Sequence, residues 1–249
     1  MAPESFSVSE PVILFIRLLI AHLAGDFVFQ KKSWIVSRAA LKWRSGYLYA
    51  NAAIVGLLSW VLSGYPSQWL IPLLIFLAHA VIDTLKSYAP DKPVVFAMDQ
   101  AGHLVATVVF TWLYVKWECS PLTAPLIYNN LYLWTYTASY LTVMWPMGII
   151  ISMMTRKWQA DSEQIAGLPD AGKYIGMLER ILILTFIFGG EFSAIGFLVA
   201  AKSVLRFGDI RESGNRKNTE YILIGTMLSF TAAILTGILA KWLLKLPVL

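Results

Sequence analysis

The feature that most limits the fold of this chain is a series of apolar segments, each about twenty residues long, separated by short charged or Pro- and Gly-containing joints. A helix of about that length matches the ~30 Å hydrocarbon core of a bilayer, because each residue adds 1.5 Å. Hydrophobic residues make up 57% of the 249-residue chain and charged residues only 14%, whereas soluble domains carry about 25% charged residues. The sequence therefore predicts an all-α fold, a polytopic transmembrane helical bundle.

Six apolar segments are long enough to be full membrane spans. They are predicted at 11–30, 47–64, 69–88, 94–116, 129–154 and 220–245. A further apolar stretch, 174–207, would run for about 50 Å as one helix, which is too long for a single crossing. Gly189 and Gly190 interrupt it, so we expect a Gly-broken hairpin of two short helices, or eight spans in total. A strongly tilted long helix is the alternative.

We expect residues 1–249 to form a single integral membrane domain. Within it, the four spans of 11–116 would carry the functional site. The remainder, 129–249, would supply supporting spans and the broken helical hairpin.

The segment 31–46 sets the predicted orientation, because it contains five basic residues and no acidic one. The positive-inside rule places such a segment on the cytoplasmic side, which puts the N-terminus outside. Trp34 and Trp43 favour a short amphipathic helix in the headgroup layer, where it would contact anionic lipid headgroups. An ordinary basic loop fits equally well. No nucleic-acid-binding motif is visible, so membrane lipids are the expected partners.

Each of the three histidines lies four residues from an aspartate, inside a predicted span. The pairs are His22–Asp26, His79–Asp83 and Asp99–His103. Residues four apart share one helix face. With the predicted directions of the spans, every histidine is the deeper partner and every aspartate lies about 6 Å nearer the cytoplasm. Because ionisable groups in a bilayer are costly unless partnered, the sequence predicts one shared site.

Three imidazoles above three carboxylates suit a divalent metal ion, with zinc the expected one. His22, His79 and His103 are the candidate metal ligands. The aspartates Asp26, Asp83 and Asp99 are candidates for further ligands, for groups that orient the imidazoles, or for the general base.

Three classes of function are compatible with such a site. A bound metal ion lowers the pKa of its water to about 7, which favours a metal-dependent hydrolase or transferase acting on a lipid or membrane-delivered substrate. Buried His and Asp residues also form relays in proton- or ion-coupled transporters. The third class is a structural or partner-binding membrane protein whose pairs only hold helices together.

Three further polar residues near the aspartates are candidates for substrate binding: Gln30, Lys86 and Gln100. Gln30 continues the four-residue spacing of His22 and Asp26, and an ideal α-helix would place all three on one face. Lys86 follows Asp83 by three residues, so it could bind a phosphate or extend to the headgroups.

Two deep charges remain without an evident partner, Arg17 and Glu191. We expect them to form a structural ion pair; the alternative is that Arg17 extends outward and Glu191 is solvated or protonated. A second group of charges lies in the C-terminal third and comprises Glu179, Arg180, Lys202 and Arg206. We expect this group to be a solvated flank at the cytoplasmic face, although binding of anionic headgroups or a substrate phosphate is also compatible.

The motifs that carry these residues resemble a known family. "HLAGDFVFQ", "HAVIDTLK" and "DQAGH", followed by "IGMLERILIL", "AIGFLVAAKSVLRFGD" and "EYILIGTMLSF", are similar to DUF3307, a family of uncharacterised bacterial multi-pass membrane proteins. The resemblance covers the first four spans and the C-terminal third. It implies a multi-pass protein of the bacterial cytoplasmic (inner) membrane and no particular activity. A weaker analogy links the proposed chemistry to membrane zinc hydrolases of the alkaline-ceramidase type.

Overall fold

The computed structural model describes residues 9–117, 126–159, 170–213 and 216–245, and every regular element in these ranges is helical. This confirms the all-α prediction. The α-helices are α1 (Ser9–Leu23), α2 (Lys32–Leu41), α3 (Gly46–Ser63), α4 (Leu70–Tyr88), α5 (Pro93–Lys116), α6 (Leu131–Met144), α7 (Pro146–Gln159), α8 (Ala171–Gly189), α9 (Phe192–Ser213) and α10 (Arg216–Leu244).

Within the described ranges, six helical stretches are long and apolar enough to cross a membrane. They are Glu10–Phe29, Gly46–Ser63, Leu70–Tyr88, Pro93–Lys116, Leu131–Trp158 and Glu220–Leu244. These stretches agree with the six predicted spans to within a few residues at each end. The chain is therefore a multi-pass membrane protein, while its orientation stays a prediction.

The first of two compact units contains α1 to α5 and most of α6, up to residue 141. In it α1 packs against α3 and α5, and α4 packs against α3 and α5. Leu14, Val55, Ile71 and Tyr114 belong to the buried core between these helices. The segment 31–46, which could have been a loop, forms α2 and a short 3₁₀ turn at Lys42–Arg44.

The second unit contains α7 to α10, from residue 142 onward. Here α8 ends at Gly190, whose φ of +81° favours glycine because it has no Cβ. An ion pair joins Glu179 to Lys202, and these residues lie at nearly equal distances along the chain from Gly190. The helices α8 and α9 thus form an antiparallel hairpin. The predicted interruption is confirmed, and a single long tilted helix was the wrong alternative.

The expected solvated flank in the C-terminal third was wrong for two of its members, because Glu179 and Arg180 are buried. The Arg180 guanidinium donates to the carbonyl oxygens of Val143 and Met144 and to Ser229 Oγ. These carbonyls lie where the Leu131–Trp158 stretch is interrupted before Pro146. Unpaired carbonyls are costly in a bilayer, which explains why the arginine turns inward. The Arg206 side chain lies outside the described residues.

Candidate metal centre

The first unit brings all six predicted His and Asp residues into one buried cluster: α4 and α5 each supply one pair, α1 supplies His22, and the π-helical turn after α1 supplies Asp26. The most exposed of the six side chains, that of Asp26, is 8% exposed. The three imidazole rings form a triangle, with centroid distances of 4.5 Å between His103 and His22, 4.3 Å between His103 and His79, and 5.7 Å between His22 and His79. The histidines therefore form a single layer across three helices, as the spacing predicts.

The contacts between helices are as close as those within each pair. Within the pairs, His79 Nε2 lies 3.6 Å from Asp83 Oδ2, and His103 Nε2 lies 3.6 Å from Asp99 Oδ1. Across helices, His79 Nε2 lies 3.1 Å from Asp26 Oδ1, and His103 Nε2 lies 3.7 Å from Asp83 Oδ1. The three pairs are thus one connected network of nitrogen and oxygen ligands.

Four buried polar atoms in this network have no hydrogen-bond partner within the described part of the chain. They are His22 Nδ1, His103 Nε2, Asp83 Oδ1 and Asp99 Oδ1. Buried polar atoms are normally paired, so such a group requires an explanation. Around a tetrahedral ion with bonds of 2.0–2.2 Å, neighbouring ligand atoms lie about 3.3–3.6 Å apart, close to the distances from His103 Nε2 to the two oxygens.

Two overlapping sets of side chains have the geometry to hold a metal ion. One consists of His22, His79 and His103, and the other of Asp26, His79, Asp83 and His103. In each set the candidate ligand atoms lie within 4.8 Å of one another. Imidazole nitrogens with carboxylate oxygens are typical ligands of a borderline divalent cation such as zinc, so the residues fit the ion.

Two cationic side chains bind the carboxylate oxygens that do not face His103. Arg38 forms an ion pair with Asp83, and Lys86 forms one with Asp99, each through the Oδ2 atom. Each pairing leaves Oδ1 towards His103. Partners of this kind orient ligands and tune a metal centre. Lys86, predicted to bind substrate, is engaged with Asp99 in this structure.

Gln100 contacts the histidine layer. Its Oε1 accepts a hydrogen bond from His22 Nε2 over 3.3 Å, and its Nε2 donates to Asp99 Oδ2 over 3.0 Å. With the proton on Nε2, the Nδ1 atom of His22 keeps its lone pair, which is the form that binds a metal. Substrate binding by Gln100 stays a prediction.

The predicted stripe of His22, Asp26 and Gln30 is interrupted in the structure. After α1 the chain forms a π-helical turn, Ala24–Phe29, and Gln30 follows it in extended conformation. A Cβ atom at Gly25 would collide with Val55 of α3, so the close approach of α3 requires glycine there. Asp26 lies within the wider turn and keeps its contact with His22, whereas Gln30 lies beyond it. Single-turn π-helices are frequent at functional sites.

Sequence reasoning missed two residues of the cluster, Asn51 and Arg38. Asn51 is fully buried, and its Nδ2 donates to Asp26 Oδ1 over 2.8 Å and lies 3.2 Å from His79 Nε2. An amide in the middle of an apolar span was a visible signal. Arg38 gave no such signal, because nothing in the sequence distinguishes it from the other basic residues of its segment.

A small cavity of about 20 Å³ lies on the side of the histidine layer away from the aspartates. All three histidines line it, together with Ser59, Thr107 and apolar side chains that include Leu18 and Phe110. That volume is enough for a water molecule. The histidines therefore separate a layer of carboxylates from a mainly apolar cavity.

The predicted Arg17–Glu191 pair joins residues of different units and stays a prediction. Arg17 is buried in the first unit, where its guanidinium carbon lies 5.2 Å from the centre of the Tyr128 ring. Glu191 directly follows the Gly190 turn of the second unit.

Fold and site together define a multi-pass helical membrane protein with a buried His/Asp centre. Residues 14–130 match the model of a family described as "Protein of unknown function (DUF3307)", which confirms the resemblance for this part of the chain. The match includes all six cluster residues as well as Arg38 and Asn51. No curated protein and no solved structure matches the chain.

Proposed function

We propose that the protein is a metal-dependent hydrolase or transferase that acts on a lipid or other membrane-delivered substrate, with one divalent ion, zinc by preference, in the His/Asp cluster. One observation carries the proposal: His103 Nε2, Asp83 Oδ1 and Asp99 Oδ1 converge, are buried, and lack hydrogen bonds within the described residues. A cation among them would satisfy all three atoms at once.

The charge of the cluster supports a single ion. With neutral histidines, its three carboxylates exceed Arg38 and Lys86 by one negative charge. One divalent ion changes the net charge to +1, and ionisation of a water returns it to zero, whereas two ions would leave +3. Uncompensated charge is costly in a buried, membrane-embedded site, so the donor set suits one ion.

The residues then take distinct roles. The three imidazoles would bind the ion, while Arg38 and Lys86 hold Asp83 and Asp99 with Oδ1 towards His103, each as a further ligand or as a group that orients the imidazole. Asn51 donates to Asp26 Oδ1 and holds this carboxylate beside His79 Nε2, where Asp26 would act as a further ligand or as the general base. A divalent ion bound here would supply an ionised water at neutral pH.

We further propose that the protein lies in the bacterial cytoplasmic membrane with its N-terminus outside. The basic segment 31–46 contacts the aspartate end of the cluster through Arg38. Basic segments mark the cytoplasmic side, so the carboxylate layer would lie on that side. The motif resemblance to bacterial multi-pass membrane proteins, noted from the sequence, supports the choice of membrane.

A second candidate is a proton- or ion-coupled transporter with the same residues as its relay. The excess negative charge of the cluster can also be neutralised by one proton on an imidazole. The imidazole rings, with centroids 4.3 Å and 4.5 Å apart, place proton acceptors side by side. Metal content and proton flux distinguish the two candidates.

The first test is metal analysis of protein purified without chelators. We expect about one zinc-like ion per wild-type chain and background levels in His103→Ala. Thr111→Ala is the matched control, because Thr111 is also buried in α5 but hydrogen-bonds only to the helix backbone. A metal-free wild-type protein would overturn the metal-centre proposal.

The second test examines the reaction. Wild-type protein and His103→Ala are incubated with phospholipid vesicles in ¹⁸O-labelled water, and lipid products are analysed by mass spectrometry. Hydrolysis places one labelled oxygen in a product of the wild-type reaction only. A metal-free protein that instead drives proton-dependent flux into liposomes supports the transporter. A stable wild type that is inactive in both assays, with destabilised variants, indicates a structural role.

A further inference from the structure

The helix α2 is attached to the first unit in an unusual way, because Arg38 is its one buried residue. Together with the turn that follows, it forms residues 31–45, which we name the cap segment. Three of its large apolar side chains are exposed, Ile35 by 45%, Val36 by 68% and Leu41 by 55%, and the half-buried Trp34 stacks on Tyr47 of α3. Apolar burial against the rest of the protein therefore contributes little to holding the cap segment in place.

Polar contacts attach the cap segment to the end of α4. Arg38 pairs with Asp83, a member of the cluster, and Lys42 Nζ donates to the carbonyl oxygen of Ser87. In each contact a cationic side chain binds an oxygen, which belongs to a carboxylate in one case and to a backbone carbonyl in the other. Phosphate oxygens bind the same guanidinium and ammonium groups strongly, and they bind arginine in bidentate geometry.

The backbone at the end of α2 is strained. Lys42 has φ +55° and ψ −133°, a conformation that L-residues with side chains rarely adopt. Such strain persists only where the surrounding contacts enforce it, and it is frequent in segments that switch. Loss of the Arg38 and Lys42 contacts would release it, so Lys42 is suited to be a hinge.

The outer surface of the cap segment matches an anionic membrane surface. It combines the exposed apolar side chains with Lys31, Lys32 and Arg44, which are also exposed. Segments that expose both basic and apolar groups are typical of the headgroup layer of anionic bilayers. The spans on either side place this segment next to the membrane in any case.

We propose that the cap segment is a gate over the aspartate end of the cluster, opened by the headgroup of an anionic phospholipid that competes for Arg38 and Lys42. The side chain of Asp83 is 1% exposed beneath Arg38, so release of the arginine uncovers the carboxylate layer. This inference rests on the proposed function and names its substrate class: an anionic phospholipid that enters at the cap segment.

The test measures the position of α2 in the full-length protein. Cys119 is replaced by Ser, and spin labels are attached at Ala40→Cys on α2 and Val94→Cys on α5, both exposed positions. Their separation is measured in nanodiscs of phosphatidylcholine alone and in nanodiscs that also contain phosphatidylglycerol. We expect a longer separation in the anionic discs, by at least about 5 Å, one helical turn.

Two variants identify the contacts responsible. Arg38→Gln is expected to give the long separation in both kinds of disc. Lys116→Gln is the matched control, because Lys116 is an exposed cation that lies over the Trp112 ring at the far end of α5, outside the cap segment, and it should respond like the wild type. Inorganic phosphate added to neutral discs tests a free anion against a lipid.

An unchanged separation in anionic discs overturns the proposal, and so does an equal response to inorganic phosphate in neutral discs, which would exclude the lipid as the specific trigger. If Arg38→Gln fails to fold, the label separation of the wild-type protein in neutral and anionic discs still tests the proposal. Because the labels report only the position of α2, this result is independent of the metal analysis, and failure of one proposal is distinguishable from failure of the other.

Discussion

His103 Nε2 and Asp83 Oδ1 lie 3.7 Å apart on neighbouring helices, both buried and both without a hydrogen bond in the part of the chain that the structure describes. The other oxygen of Asp83 is paired with Arg38. The carboxylate therefore links a cation on the cap segment to the imidazole layer, and this relationship suggests several experiments.

Asp83→Asn is expected to abolish metal binding and to destabilise the protein, because Arg38 is left as a buried, unpaired charge. Removal of one partner of a buried pair costs about 3–5 kcal/mol. Adding Arg38→Gln should recover much of the stability but none of the metal. Thermal unfolding in detergent and metal analysis measure the two effects; a double variant no more stable than Asp83→Asn would contradict the role of the pair.

Lys86→Met should weaken metal binding by about 10–100-fold, the usual effect of losing a residue that orients a ligand. Lys86 holds Asp99 Oδ2 and leaves Oδ1 towards His103. Lys86→Arg should retain most of the affinity, because the charge is kept. Lys92→Met, at an exposed lysine near the start of α5, is the control. Metal titration by calorimetry compares them, and equal affinity in Lys86→Met and Lys92→Met would refute the positioning role.

Gly25→Ala should destabilise the first unit by about 1–3 kcal/mol, the usual cost of overpacking. The added methyl group would collide with Val55. Gly46→Ala is the control, since a Cβ there meets no atom within 4 Å, and Val55→Ala should rescue Gly25→Ala by making room. Denaturation midpoints test this prediction, which fails if the two glycine variants are equally stable.

Arg180→Met should destabilise the second unit, by about 2–5 kcal/mol, because the buried Val143 carbonyl, the half-buried Met144 carbonyl and Ser229 lose their donor. Lys173→Met, which removes an exposed cation from the same helix, should have little effect. The two variants are compared by thermal unfolding. Similar unfolding temperatures would show that the interruption before Pro146 does not depend on the guanidinium.

The sequence alone was sufficient to predict the membrane spans, the break at Gly190 and the six residues of the cluster. These features are local. Span length follows from the thickness of the bilayer, and the four-residue spacing places each histidine beside its own aspartate on one helix face. The direction of each span, inferred from basic residues, was enough to place all three pairs at one depth.

Only the tertiary structure revealed how the pairs are connected. The contacts of Asp26 with His79 and of Asp83 with His103 depend on how three helices pack, and the pairing of Arg38 with Asp83 depends on α2 folding back over α4. The π-helical turn after α1 leaves Gln30 outside the predicted stripe, and Gly25 in that turn allows the close approach of α3. Spacing along the chain encodes neighbours on one helix, whereas partners across helices are set by packing.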